Sequence, residues 1–202
     1  MAATPHAGPE DLSAALDALR RGEVVAVTTD TVYGLACDPA NPAAVERVYE
    51  LKQRPGDLEL TLLTASAAEL DTLVCWSPAA RVLAARFWPG PLSLVLPVGD
   101  RRLSVPRRGA TVCVRVPAHG ALLELLGRSG PLASTSANRH GEPAATTASM
   151  VRELFGGGVG VVLEGDRPGG TASTIIDCSV TPPRVLREGP IDSRSLGELV
   201  QG

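Results

Sequence analysis

The sequence predicts a single α/β domain built on a large mixed sheet flanked by helices. Helical and strand periodicities alternate through the first half of the chain, and short apolar strands crowd its last third. Size agrees: 202 residues, 44% hydrophobic and 20% charged, suit one domain or one domain with a modest extension.

The elements follow in order. Residues 11–21 place Leu12, Ala15, Leu16 and Leu19 at helical spacing, and Gly22 stops the run. EVVAVTT (23–29) is a β-branched strand, and TDTVYGLACDP after it is a loop. Asn41 caps a helix that has Pro42 at its first position and runs to Lys52, where Arg54-Pro55-Gly56-Asp57 ends it. LELTLLT (58–64) is a strand. Ser77-Pro78 opens a helix stopped by Pro89-Gly90-Pro91. LSLVLPV (92–98) and TVCVRVP (111–117) are strands, and HGALLELLG is a short helix. PLASTSAN begins as a strand and turns polar. ASMVRELFGGG is a helix with a glycine stop. VGVVLEG, TASTIIDCS and PRVLREG are three late strands, GDRPGGTA (165–172) is a loop, and SRSLGELVQG is a frayed terminal helix. The predicted unit is one domain over 1–202, with its motifs in about 11–191.

Several classes of protein are excluded. No apolar run approaches the roughly 18 residues of a membrane span. The N-terminal MAATPHAGPEDL lacks the basic-then-apolar pattern of a secretory leader. Cys37, Cys75, Cys113 and Cys178 form no CxxC pair, so they are expected as reduced thiols of a cytoplasmic protein, without structural zinc. A formal charge of -3 argues against a non-specific nucleic-acid binder, though not against a local basic cleft.

The basic residues are 18 arginines and one lysine, Lys52. This is the mark of a GC-rich coding bias, which turns surface Lys into Arg. A lysine needed as a compact ammonium resists that exchange, because a guanidinium is planar and differently hydrated. Lys52 is therefore either a chance survivor or a residue of the chemistry. It stands two before Arg54 at a helix break, where both can turn to one anion or simply complement the helix dipole. If Lys52 touches only ligand, Lys52→Arg should lower turnover and leave the melting temperature nearly unchanged.

Two further stretches carry polar groups at strand ends. Thr28-Thr29-Asp30-Thr31-Val32-Tyr33-Gly34-Leu35 is either a self-satisfied polar turn or a ligand-binding strand end, and Tyr33 is either core or a stacking platform. Ser134-Thr135-Ser136-Ala137-Asn138 is either a serine-rich turn or an anion cradle; Asn138 is one of two asparagines, and Asn41 is already explained as a cap. Arg115 lies inside an apolar strand, so it must meet an acidic side chain or an anionic ligand. His119 is expected as a helix-start residue, and Trp88-Pro89-Gly90-Pro91 as a structural corner. No GxSxG, P-loop, HExxH or GxGxxG is present. The inventory of Lys52, Arg54, Arg115 and Arg187 with Ser and Asn donors suits charge neutralisation on a phosphate-bearing substrate.

Taken together, TDTVYGL (29–35), LKQRP (51–55), WPGPLSLVLP (88–97), VRVPAH (114–119), STSANRHGEP (134–143), STIID (173–177) and RVLREGPI (184–191) resemble the YrdC-like family of L-threonylcarbamoyl-AMP synthases, in its short, single-domain form. The resemblance implies a twisted sheet with an open, positively lined concave face. It implies that L-threonine, bicarbonate and ATP give threonylcarbamoyl-AMP and diphosphate. A threonylcarbamoyl transferase complex would then modify tRNA, with tRNA contact possible and no membrane involved. Matched residue by residue, Lys52, Arg54, Ser136 and Asn138 resemble the family's catalytic tetrad. Thr31, Arg115, Ser136 and Ser173 match its threonine-contacting positions, and Arg54, Thr111, Asn138, Thr146 and Arg187 its nucleotide-contacting ones. No metal ligand cluster or tightly bound cofactor is expected; Mg2+ is expected with ATP.

Three positions depart from the family pattern. Glu59 and Leu63 stand where many members carry a proline and a histidine, and Leu58 where some carry an asparagine. Two other readings compete. One is a non-catalytic double-stranded RNA or tRNA-binding module using the same cleft. The other is a carbamoyl-transfer domain of the hydrogenase-maturation type, which shares the fold but normally belongs to a much longer chain.

Overall fold

The computed structural model describes residues 8–53, 59–99, 109–165 and 169–192. Five α-helices are described, besides two short 3-10 turns: α1 (Pro9–Arg20), α2 (Pro42–Lys52), α3 (Pro78–Phe87), α4 (Gly120–Ser129) and α5 (Ala148–Phe155). The strands are β1 (Val25–Val27), β2 (Gly34–Cys37), β3 (Thr61–Leu63), β4 (Leu92–Pro97), β5 (Thr111–Arg115), β6 (Leu132–Ser136), β7 (Val161–Leu163), β8 (Thr174–Asp177) and β9 (Arg184–Arg187). They join in one sheet of order β7-β1-β2-β6-β3-β5-β4-β8-β9. The pairs β1–β7, β3–β5 and β4–β8 are parallel and the others antiparallel, so the sheet is mixed.

The caps behave as the sequence predicts. The Asn41 carboxamide oxygen accepts from the Ala43 and Ala44 N–H groups, and Ser77 Oγ accepts from Ala80 N–H. His119 starts α4, with Nδ1 accepting from Leu122 N–H. The Trp88-Pro89-Gly90 corner ties back through Gly90 N–H to the Val116 carbonyl. Gly22 ends α1 with φ at 78°, the left-handed region that glycine enters without strain.

One element differs. GLAC (34–37) is a strand, where the sequence predicts a loop. All four residues are buried, because β2 lies inside the sheet between β1 and β6. A strand covered on both faces shows no polar alternation, so its signal is lost in a short apolar run beside a turn. The late strands also separate: β7 joins one edge and β8–β9 the other. Leu58, most of the 165–172 loop's centre and the predicted terminal helix lie outside the described residues.

The pleat sorts each strand between two layers. Ala26, Leu35, Leu62, Leu94, Val114 and Ala133 face one core with Val48 of α2, Leu83 of α3 and Val151 of α5. Val25, Val27, Ala36, Leu63 and Leu132 face the other, against Leu12 and Leu16 of α1 and Leu122 and Leu126 of α4. The first face is covered along the sheet. On the second, α1 and α4 cover one part, and over β3, β5, β4 and β8 the strand side chains line a cleft.

Candidate functional site

The cleft holds about 420 Å³. Its floor is the alternate face of strands whose other face is core: Thr61 and Leu63 of β3, Cys113 and Arg115 of β5, Ser93 and Val95 of β4, Ser134 and Ser136 of β6. Gly34 of β2 lies beside them, and a Cβ there would meet Ser134 Oγ at 3.0 Å and the Thr135 carbonyl at 3.3 Å, so a larger residue requires its neighbours to give by a few tenths of an ångström. Thr61, Ser93 and Cys113 are site residues that the motif reading missed. Their signal was present: each is a small polar residue at alternate positions in an otherwise Leu/Val strand, which marks a face turned away from apolar packing.

Lys52 is the last residue of α2, and Gln53, with φ at 51°, turns the chain away in the left-handed region. The lysine is buried, 2% exposed, instead of extending into solvent as an ordinary helix end would. Its Nζ donates to the Ser136 carbonyl at 2.6 Å, the Asn138 carbonyl at 2.9 Å and Asn138 Oδ1 at 2.8 Å. Ser136 Oγ also donates to Asn138 Oδ1, at 2.6 Å. An ammonium is a donor only, so the carboxamide oxygen must face it. The Asn138 amide then donates to the Arg139 and Glu142 carbonyls. Lys52, Ser136 and Asn138 thus form one preorganised cluster at the β6 exit, brought together across 84 and 86 residues of sequence. The expectation that Lys52 touches only ligand is corrected: its ammonium also holds the Ser136–Asn138 loop. Arg54 lies outside the described residues.

Arg115 meets its required partner. Nη2 donates to Asp30 Oδ1 at 2.6 Å, Nη1 to Thr31 Oγ1 at 3.0 Å and Nε to the Gly90 carbonyl at 3.0 Å. Thr31 Oγ1 also shares a hydrogen bond with Thr29 Oγ1. Asp30 Oδ1 takes a further bond from Ala118 N–H, while Asp30 Oδ2 is buried with no hydrogen-bond partner. Burial lowers the Arg115 pKa and Asp30 pushes it back up. The guanidinium has five N–H donors, and these contacts use three of them, so two remain for an anion in the cleft that Arg115 lines. The polar turn is therefore satisfied locally through Thr29, while Asp30 and Thr31 serve Arg115 in the site, and Tyr33 is mainly core, with its hydroxyl on Thr28 and Gly165.

At the far edge, Arg187 reaches from β9 to the Ser173 carbonyl at 3.0 Å and to Ser173 Oγ at 3.1 Å, and Ser173 pairs with Ser93 at 2.9 Å. Thr31, Lys52, Arg115, Ser136, Asn138, Ser173 and Arg187 all line the cleft. Thr111, at the start of β5, and Thr146, whose hydroxyl lies 3.7 Å from Met150 sulfur, are not among its lining residues. Among the described residues no group of three or more His, Cys, Asp and Glu side chains is placed to hold a metal. No described helix is long and apolar enough to cross a membrane.

All four cysteines are free thiols, and Cys37, Cys113 and Cys178 are buried. Burial pushes Cys37 and Cys178 up to about 12 and Cys113 up to about 11, from an ordinary 9.0. A raised folded pKa means that the unfolded chain loses its protons first. The stability these thiols contribute is whole below pH 9 and is lost as pH climbs through 11 to 12. The urea midpoint should hold up to pH 9 and fall by pH 11, by on the order of several kcal/mol in unfolding free energy. Equal midpoints at pH 8 and pH 11 would refute this.

The α/β sheet has one half-open face, lined by a buried lysine, a buried arginine and small hydroxyls, a set of groups whose chemistry suits an anionic small molecule. The family model Sua5/YciO/YrdC, which carries the description "Telomere recombination", matches residues 17–189. The chain belongs to this family. It is 40% identical over 186 residues to the threonylcarbamoyl-AMP synthase of Pyrococcus abyssi, covering 90% of this chain and 55% of that one. It is 39% identical to the Bacillus subtilis protein of the same name, covering 90% and 54%, so it spans about half the length of these two relatives. A putative threonylcarbamoyl-AMP synthase of Mycobacterium leprae, 36% identical, is matched over 98% of this chain and 91% of its own. The crystal structure of P. abyssi Sua5 complexed with L-threonine superposes with a TM-score of 0.86 at 39% identity, covering 94% of this chain and 57% of that one. HypF, at 18% identity and a TM-score of 0.78, shares the fold alone.

Proposed function

We propose that the chain is an L-threonylcarbamoyladenylate synthase, a nucleotidyltransferase that makes threonylcarbamoyl-AMP and diphosphate from L-threonine, bicarbonate and ATP. The observation that carries this reading is the convergence, in one cleft, of the Lys52–Ser136–Asn138 cluster and the Arg115–Thr31 pair. The relatives' names and the threonine-bound neighbour support it.

In this reading the two spare N–H groups of Arg115 hold the threonine carboxylate, and Thr31, Ser136 and Ser173 surround the amino acid. The neutral amine of threonine adds to CO2 derived from bicarbonate, giving a carbamate and releasing a proton. A carbamate oxygen then attacks the α-phosphorus of ATP in line, a P–O bond forms, and the α–β bridge breaks to release diphosphate. Lys52, with Arg54, neutralises charge on the phosphates. Asn138 and Ser136 fix the lysine, and Arg187 and Asn138 hold the nucleotide, with Thr111 and Thr146 at its periphery. The cleft keeps the carbamate from water while it waits. The donor set fits magnesium that arrives on the phosphates rather than a resident ion: Glu59 is the one carboxylate lining the cleft among the described residues. Bound magnesium would neutralise the departing diphosphate. The product would pass to a tRNA-modifying threonylcarbamoyl transferase complex in the cytoplasm, and residues 11–191 would be the working unit.

Diphosphate release from ATP should require both bicarbonate and L-threonine. Serine should be poorer, since one methyl in an apolar niche is worth roughly 1–3 kcal/mol. Alanine should be rejected more strongly, for its missing hydroxyl. Turnover with alanine equal to that with threonine would sink the threonine assignment. Steeply salt-dependent RNA affinity without ATP turnover would replace the whole reading with the RNA-binding one.

A further inference from the structure

Glu59 stands out as the one acid among the described residues that line the cleft, where the other charged side chains are the cations Lys52, Arg115 and Arg187. The pleat fixes its direction. Leu60 and Leu62 face the buried core, and Glu59, Thr61 and Leu63 face the cleft. Thr61 stands opposite Ser134 on antiparallel β6, so two residues back along the chain Glu59 is carried toward Ser136. Thr61 also pairs with Cys113 on parallel β5, and the same two-residue step there leads toward Thr111. The carboxylate's charge reaches Cys113, where it adds to burial in holding the thiol protonated. Glu59 therefore lies at the end of the cleft where Lys52, Ser136 and Asn138 converge.

A carboxylate at that end opposes a bare triphosphate, since neighbouring like charges repel and each disfavours the other's ionised form. A divalent cation between them reverses the sign of the interaction. Magnesium takes one or two carboxylates plus phosphate oxygens and keeps several waters, which a single glutamate beside a phosphate site can satisfy. We propose that Glu59 is a specificity-determining residue that makes this chain select the magnesium complex of ATP over the free triphosphate. The inference rests on the ATP-dependent reading above.

Calorimetric titration of the full chain with ATP alone, in excess magnesium or in EDTA, tests it without turnover. The wild-type protein should bind ATP on the order of tenfold more tightly with magnesium. In Glu59→Gln, free ATP should bind about tenfold better than to wild type, and the advantage of magnesium should shrink to below about twofold. Glu59→Asp keeps the charge and should keep the preference; its loss there would assign the effect to shape and overturn the inference. Equal magnesium advantage in wild type and Glu59→Gln, with matching melting temperatures, also overturns it and leaves the ATP reading standing. Absence of ATP binding in every protein and condition removes the ATP reading, and the inference with it.

Discussion

Lys52→Arg should lose turnover by on the order of 10²-fold, about 2.7 kcal/mol of transition-state stabilisation, and should also melt earlier. The loss of rate follows from charge placement. The lysine's ammonium is a compact point held by three oxygens within 2.6–2.9 Å, and a planar guanidinium cannot occupy the same spot. The loss of stability follows from burial. At 2% exposure the ammonium is enclosed by these oxygens, and forcing a larger head group among them is overpacking, which typically costs about 1–3 kcal/mol. For a chain of this size each kcal/mol moves the melting temperature by about 2–4 °C. Diphosphate release and a thermal melt on the same preparation read both effects. A fully active variant with an unchanged melting temperature would show that Lys52 is neither a phosphate ligand nor the anchor of the Ser136–Asn138 loop.

Asp30→Ala should destabilise the fold by about 3–5 kcal/mol, because it leaves a buried guanidinium without its counter-charge. Arg115 is 6% exposed and cannot swing into water without abandoning Thr31 and the Gly90 carbonyl. Removing Asp30 also frees the Ala118 N–H at the approach to α4. The double variant Asp30→Ala, Arg115→Met should recover part of the loss, since it removes the charge as well as its partner. Urea unfolding of the three proteins measures this. A single variant within about 0.5 kcal/mol of wild type would show that the pair is solvated and carries no energetic weight.

Much of the site is legible in the sequence. The scarcity of lysine singled out Lys52, and the cost of an arginine in an apolar strand required a partner for Arg115. The second is met by Asp30, and the first led to a lysine that is buried against Ser136 and Asn138; both depend on what a residue's chemistry demands, whatever the fold. The sequence could not say which acid answers Arg115. Asp30 lies 85 positions away, and only the crossing of the 28–33 turn over the sheet brings them to 2.6 Å. It also could not separate a helix end that serves the dipole from one that dives into the protein, since a lysine after Tyr49-Glu50-Leu51 reads the same either way.

The sequence by itself determined the helices, their caps and most of the strands, because capping side chains and residue periodicities are local and act within a few positions. It also determined the chemical character of the site, a set of cations with small neutral donors. The tertiary structure decided that GLAC is a central strand, that the late strands part to opposite edges, and that Thr61, Ser93 and Cys113 form a floor. It decided as well that Glu59 faces the cleft. Each of these depends on which strand becomes whose neighbour, and that is set by burying two faces of one sheet at once, a global balance of apolar area that no local window contains.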